Sequence, residues 1–126
     1  MTTVSKLSDE RVIFSGPRDA TVVDDVETVL RNLFTRNPQI EIVVGDAPGV
    51  DGIVRDWAVR NSVPIKVFRA DWNKNGRAAG PMRNKRMAEY GTSLVAFQYL
   101  GRKTPGTQSM IREAAKKQLH TMIVEV

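Results

Sequence analysis

The sequence predicts an α/β fold: a Rossmann-like open sheet of five parallel strands in the order 3-2-1-4-5, with helices on both faces. Two observations carry this prediction. Short apolar runs rich in β-branched residues alternate with segments whose apolar residues recur at helical spacing. All six prolines fall at the junctions between these segments, where a missing N–H and a fixed φ do no harm. Strict alternation requires parallel strands joined by crossover helices, and such helices cover both faces of the sheet.

The elements follow in order. Residues 11–15 (RVIFS), 40–44 (IEIVV), 65–68 (IKVF), 93–97 (SLVAF) and 121–126 (TMIVEV) read as buried strands. Between them, Val22, Val26, Val29, Leu30 and Leu33 space out a first helix, and Val50, Val54, Trp57 and Ala58 a second. Met87 and Tyr90 mark a third, and Met110, Ile111, Ala114, Ala115 and Leu119 a fourth. Trp57 therefore belongs to the core. Pro17, Pro48, Pro81 and Pro105 stand before or at helix starts, and Pro38 and Pro64 just before strands. Gly52, in the first turn of the second helix, is read as a place where another backbone or a ligand comes close.

Composition narrows the function. The chain has 126 residues with 19 Lys and Arg against 14 Asp and Glu, a net charge of +5. One domain is expected over residues 11–126, preceded by a flexible segment, Met1 to Glu10. There is no cysteine, which excludes thiol nucleophiles and Cys-based zinc sites, and the single His120 rules out a multi-histidine cluster within one chain. No metal site and no required cofactor are expected. No apolar run approaches the roughly 20 residues that span a bilayer, and the amino terminus lacks an apolar signal core. The expectation is a cytoplasmic protein that makes no membrane contact.

In an open parallel sheet the ligand crevice lies beyond the carboxyl ends of the strands. After strand 1 comes Ser15-Gly16-Pro17-Arg18, a tight turn that points Arg18 and the following amides at an anion. After strand 2 comes Gly45-Asp46-Ala47-Pro48-Gly49-Val50-Asp51-Gly52, three glycines at the positive end of a helix. Strand 3 is followed by Arg69-Ala70-Asp71-Trp72, then by a polar loop through Asn75, Gly76 and Arg77, and then by Ala79-Gly80-Pro81-Met82-Arg83-Asn84. From Lys66 to Arg86 seven basic residues face one acid, a net +6, so the rest of the chain sums to −1. Arg83 stands out because a cation in the first turn of a helix is disfavoured unless an anion compensates it; its planar guanidinium suits a phosphate. After strand 4, Pro105-Gly106-Thr107 forms a further amide nest with a hydroxyl. Four glycine-bearing helix starts on one edge of one sheet point jointly to a nucleotide-sized anionic ligand. Asp51 reads equally as a helix cap and as a ligand residue. Asp71 reads as an ion-pair partner of Arg83 or Arg69, or as a second acid in the crevice. Trp72 either packs or stacks on a base. His120, near the amino end of the last strand, is placed away from the site.

Taken in order, Gly16-Pro17-Arg18, Gly45 to Asp51, Ala70-Asp71-Trp72, Ala79 to Asn84 with Met87, and Gly106-Thr107 with Met110 resemble the YspA and cpYpsA-related branch of the SLOG superfamily. Its relatives include DNA-processing protein A and the lonely-guy phosphoribohydrolases. The resemblance runs from about Val12 to the carboxyl terminus. It implies a pocket for a nucleotide or an NAD- or ADP-ribose-like ligand, and homo-oligomers. Two positions depart from the pattern. Pro17 stands where the first loop usually has serine, which removes a hydroxyl and an amide donor. Met110 stands where lonely-guy enzymes place the glutamate that helps break an N-glycosidic bond; a thioether neither takes a proton nor stabilises an oxocarbenium ion.

The leading expectation is thus a nucleotide-binding sensor or sequestering module, a homodimer or higher homo-oligomer. Its ligand would be held by Ser15, Gly16, Arg18, Gly45, Gly49, Val50, Asp51, Asp71, Trp72, Gly80, Pro81, Arg83, Asn84, Gly106 and Thr107. The alternatives are a nucleoside-monophosphate phosphoribohydrolase, with Asp51 or Asp71 acting as catalytic acid in place of the missing glutamate, and a protein that binds single-stranded DNA through the basic segment and Trp72.

Overall fold

A computed structural model of the protein describes residues 10–126; the amino-terminal segment expected to be flexible lies, apart from Glu10, outside the described residues. The strands are β1 (Arg11–Ser15), β2 (Glu41–Gly45), β3 (Ile65–Phe68), β4 (Ser93–Gln98) and β5 (His120–Glu125). The helices are α1 (Val23–Arg36), α2 (Val50–Arg60), α3 (Trp72–Asn75), α4 (Ala79–Tyr90) and α5 (Pro105–Lys116), with a 3₁₀ turn, Gly76–Ala78, between α3 and α4. The sheet is parallel throughout, with the order β3-β2-β1-β4-β5. Glu10 already belongs to its margin, accepting the Glu41 N–H on its carbonyl at 3.0 Å.

Side-chain alternation along β1 divides the core. Val12 and Phe14 face α1 and α2, together with Ile42, Val44, Val95 and Phe97 from the neighbouring strands, and with Val26, Leu30, Val54 and Trp57 from the helices. Ile13 faces the other way, with Val43, Leu94 and Ala96, against Met87 and Ala88 of α4 and Met110 and Ala114 of α5. A strand buried on both faces needs an unbroken apolar run, which is what Val12-Ile13-Phe14 supplies. Each large side chain so buried contributes about 2 kcal/mol. Trp57 packs edge-tilted on Phe34 at 5.4 Å between ring centres, as its helical spacing predicts.

Three local features differ from the sequence reading. The first helix begins at Val23, six residues beyond Pro17, and its first turn carries Asp24 and Asp25, so its amino end does not face an anion. The stretch after Trp72 is wound into α3 and the 3₁₀ turn, which run straight into α4; the Ala79 N–H is consequently taken by the Gly76 carbonyl. Gly52 meets only the end of Arg55, at 3.6 Å from where a Cβ would stand, so no close approach explains it. Among the described residues, no helix is long and apolar enough to cross a membrane.

Candidate functional site

Beyond the carboxyl ends of β1, β2, β3 and β4 lies a cavity of about 690 Å³, within the size range of small-ligand pockets. Eleven of the residues singled out from the sequence line it: Ser15, Gly16, Arg18, Asp51, Trp72, Gly80, Pro81, Arg83, Asn84, Gly106 and Thr107. Gly45, Gly49, Val50 and Asp71 do not. Three of these four build the floor instead.

Gly49 has φ +75°, which favours glycine, and a Cβ there would stand 2.2 Å from the Pro17 carbonyl oxygen. That same carbonyl accepts the Val50 N–H at 3.2 Å. The loop after β1 is therefore sealed onto the amino end of α2, and the Val50 amide is occupied within the protein rather than offered to an anion. Gly16 completes the seal, since a Cβ on it would fall 2.5 Å from the Val50 side chain. Gly45 makes room of a different kind. A Cβ on it would collide with the Arg83 guanidinium at 2.6 Å and the Asp51 carboxylate at 2.8 Å, so its missing side chain is what leaves room for both groups above the end of β2.

Arg83 does find a compensating anion. Its Nη1 donates to Asp46 Oδ1 at 2.8 Å, and its Nε donates to Asn84 Oδ1 at 3.0 Å. Asn84, itself buried, donates from Nδ2 to Ser109 Oγ at 3.2 Å and toward the Gly106 carbonyl at 3.4 Å. One side chain thus ties Arg83 on α4 to the first turn of α5. Asp51 accepts the Ala47 N–H at 3.2 Å, which closes its own loop. Arg55, from the next turn of α2, donates to the carbonyls of Gly45 and Ala47 at 3.0 and 2.9 Å and braces the same loop. Burial pushes the Asp51 carboxyl up to about 6, against the opposing pull of Arg83 and the Ala47 N–H. The centre of the cavity floor therefore carries two acids and one guanidinium.

The flanks differ from the floor. On the β3 side Trp72 is half exposed, its indole lying across the backbone of Gly80, where a Cβ would come within 3.2 Å of the ring. Asp71 beside it is exposed and accepts the Lys74 N–H at 3.0 Å, capping α3; it pairs with neither Arg83 nor Arg69. On the β4 side the first turn of α5 opens into the cavity without a side-chain cap, and the Thr104 and Thr107 hydroxyls bond each other at 3.0 Å. At the rim Arg102 grips both carboxylate oxygens of Asp19, at 2.8 and 2.9 Å, over the face of Tyr99. Arg18, Arg77 and Arg112 also line the cavity.

Sequence reasoning missed Asp46, Asp19, Arg102, Arg112 and Ser109. Asp46 was legible only as a turn residue beside glycine, and the Asp19–Arg102 pair joins positions 83 apart. Met110, at the position matching the lonely-guy glutamate, is fully buried in the α4 and α5 face of the core; Ser109, one residue earlier, lines the cavity in its place. Among the described residues no cluster of three or more His, Asp or Glu side chains is placed to hold a metal.

Residues 10–75, which carry the first two loops, the floor acids and Trp72, match the family described as YspA, cpYpsA-related SLOG. The chain belongs to this SLOG family. It is also 36% identical over 115 residues to the Gene 61 protein of Mycobacterium phage D29, a match that covers 84% of this chain and 89% of that protein. No solved structure matches it. SLOG membership points to nucleotide-related function, and the cavity is where the matched segment meets α4 and α5.

Proposed function

We propose that the cavity binds a nucleotide or an ADP-ribose-like derivative, laid along the edge of the sheet with its base toward β3 and its phosphate toward β4. The observation that carries this reading is the order of chemistries across the strand ends. An aromatic face (Trp72) comes first, then the acids of the floor (Asp46, Asp51), then an uncapped helix amino end with Gly106 and Thr107. From β3 to β4 is three strand spacings, roughly 14 Å, enough for base, ribose and phosphate in a line. An aromatic face stacks on a base, carboxylates accept from ribose hydroxyls, and helix amides with arginines at the rim hold phosphate. Arg83 then serves the floor: its charge is met by Asp46, and it keeps two close acids tolerable. Such a protein acts as a sensor or sequestering module.

The test is calorimetry and thermal shift with AMP, ADP, NAD and ADP-ribose. A ligand at 100 times its Kd stabilises the fold by about 2.7 kcal/mol. The absence of any stabilisation at millimolar concentration overturns the reading.

One observation favours a second reading, hydrolysis of the N-glycosidic bond of a nucleoside monophosphate. Asp51 lines the cavity with its carboxyl at about 6, suited to passing a proton to a departing base while water adds to the sugar carbon. Release of free base and ribose 5-phosphate, lost in Asp51→Asn, supports it; no release from any nucleotide rejects it.

A further inference from the structure

We propose that β5 is the pairing edge for a second copy of this chain, two β5 strands running antiparallel about a two-fold axis at Ile123 to form one continuous ten-stranded sheet. The two edges of the sheet are built differently. β3 is short, is preceded by Pro64 and carries the exposed Lys66 in its middle, the ammonium lying over the rings of Phe68 and Tyr90. Proline and lysine on an edge are what keep it from pairing with other chains. β5 has neither. Its six residues pair with β4 along their whole length, and among the described residues its other side meets no strand.

β5 carries apolar side chains on both faces. Met122 lies beside Val95 on the α1 and α2 face and is 39% exposed; Ile123 lies beside Ala96 on the α4 and α5 face and is 48% exposed. Apolar residues exposed side by side along an unpaired edge mark an interface rather than a solvated one.

Self-complementarity selects the occupant and the register. Residues opposed in an antiparallel pair share a face, so the axis must pass through a residue. An axis at Met122 sets His120 against Val124 and Leu119 against Glu125. An axis at Ile123 sets Ile123 against itself, Met122 against the second copy's Val124, and Thr121, a hydroxyl donor, against the second copy's Glu125; His120 meets a valine in both registers, here Val126, so the partner of Glu125 decides between them. No like charges then oppose each other. Charge on the larger scale agrees. The net +6 segment, Lys66 to Arg86, belongs to β3, α3 and α4 at the far edge, so pairing through β5 holds the two positive surfaces apart. Strand pairing alone buries less than the roughly 800 Å² per partner of a standard interface, which sets the expectation of a concentration-dependent dimer.

Sedimentation velocity from about 10 µM to about 1 mM tests this. The expected result is a shift from the 14.1 kDa monomer to twice that mass. Ile123→Lys and Met122→Lys should each raise the dissociation constant at least tenfold while leaving the circular dichroism spectrum unchanged. Because the chain has no cysteine, Ile123→Cys provides an independent reading: oxidation should join two copies through that position, whereas Val59→Cys, exposed on α2, should stay monomeric. A monomer throughout the range overturns the proposal. So does a dimer that survives both lysine variants and is not trapped by Ile123→Cys.

Discussion

The Arg83 guanidinium donates to the Asp46 carboxylate at 2.8 Å inside the cavity, with side chains only 12% and 25% exposed. A basic residue at the start of a helix looks like an anion hook, and here the protein supplies the anion. Removing one member of a buried pair costs more than the pair contributes, because the other is left uncompensated. Arg83→Ala leaves Asp46 without its ion-pair partner and Asp51 with only the weaker pull of Arg55, and should cost about 2 kcal/mol, discounted for partial exposure. Urea denaturation checks this, and a variant as stable as the parent contradicts the assignment. Arg83→Lys should recover little of the loss, since a point charge cannot serve Asp46 and Asn84 together.

Asp51 makes stability depend on pH with an unusual sign for a carboxylate. Its folded-state value is about 6 against an ordinary 3.8, so between those values the folded protein holds a proton that the unfolded chain has released. The contribution is fully present below about 3.8 and is lost as pH rises through about 6, by about 3 kcal/mol in all. Denaturation midpoints of the protein and of Asp51→Asn, measured from pH 4 to 8, separate this group from the other carboxylates. The variant should be the more stable at pH 8, and the gap should close toward pH 4.

How much of this was legible beforehand follows from what each feature depends on. The strands and the helices between them depend on local periodicity, and the apolar runs carried them; the strand order is the one favoured for such an alternation. Arg83, Asn84 and Thr107 were legible because each sits at a fixed offset from a glycine or proline at a helix start. What stayed hidden depends on contacts between distant segments. Pro17 marked a turn, but nothing local says that its carbonyl caps the Val50 amide and closes the helix end that looked open. Asp71 and Asp51 look alike in the sequence as acids that follow the end of a strand. Only the fold exposes the first as the cap of α3 and buries the second beneath Gly45.

Trp72 and Gly80 make a base-stacking platform that can be watched directly. Of the two tryptophans, Trp57 is 6% exposed and Trp72 49%, so a ligand that covers Trp72 should change the exposed part of the fluorescence. Trp72→Ala should weaken nucleotide binding about tenfold or more, in line with about 1–3 kcal/mol per stacked base, and should leave the melting temperature nearly unchanged. Gly80→Ala, which pushes on the indole from 3.2 Å, should weaken binding in the same direction but less. An unchanged affinity in Trp72→Ala removes the indole from the site.

Two glycines of the site should fail in opposite ways. Gly49→Ala introduces a Cβ 2.2 Å from the Pro17 carbonyl at a positive φ, so the cost falls on the fold, about 2 kcal/mol or more. A Cβ on Gly106 meets nothing within 4 Å, and Gly106→Ala should fold as the parent does. Gly106 lines the cavity at the open end of α5, so the loss should appear only in binding. Melting curves with and without ligand distinguish the two. A Gly106→Ala protein that binds as tightly as the parent would place the phosphate elsewhere.

Restoring the lonely-guy glutamate should not create an N-glycosidase. Met110 is fully buried among Ile13, Met87, Leu94, Ala96 and Ala114, and the cavity wall at this turn of α5 is made by Thr107 and Ser109. Met110→Glu sends a carboxyl into that apolar layer with no donor to receive it, which should cost about 3 kcal/mol or more. Burial would also raise its pKa and keep it protonated at neutral pH. The variant should therefore melt well below the parent and release no free base from AMP. Base release by a folded Met110→Glu protein would mean that α5 turns its inner face toward the ligand, and would overturn the placement of Met110 in the core.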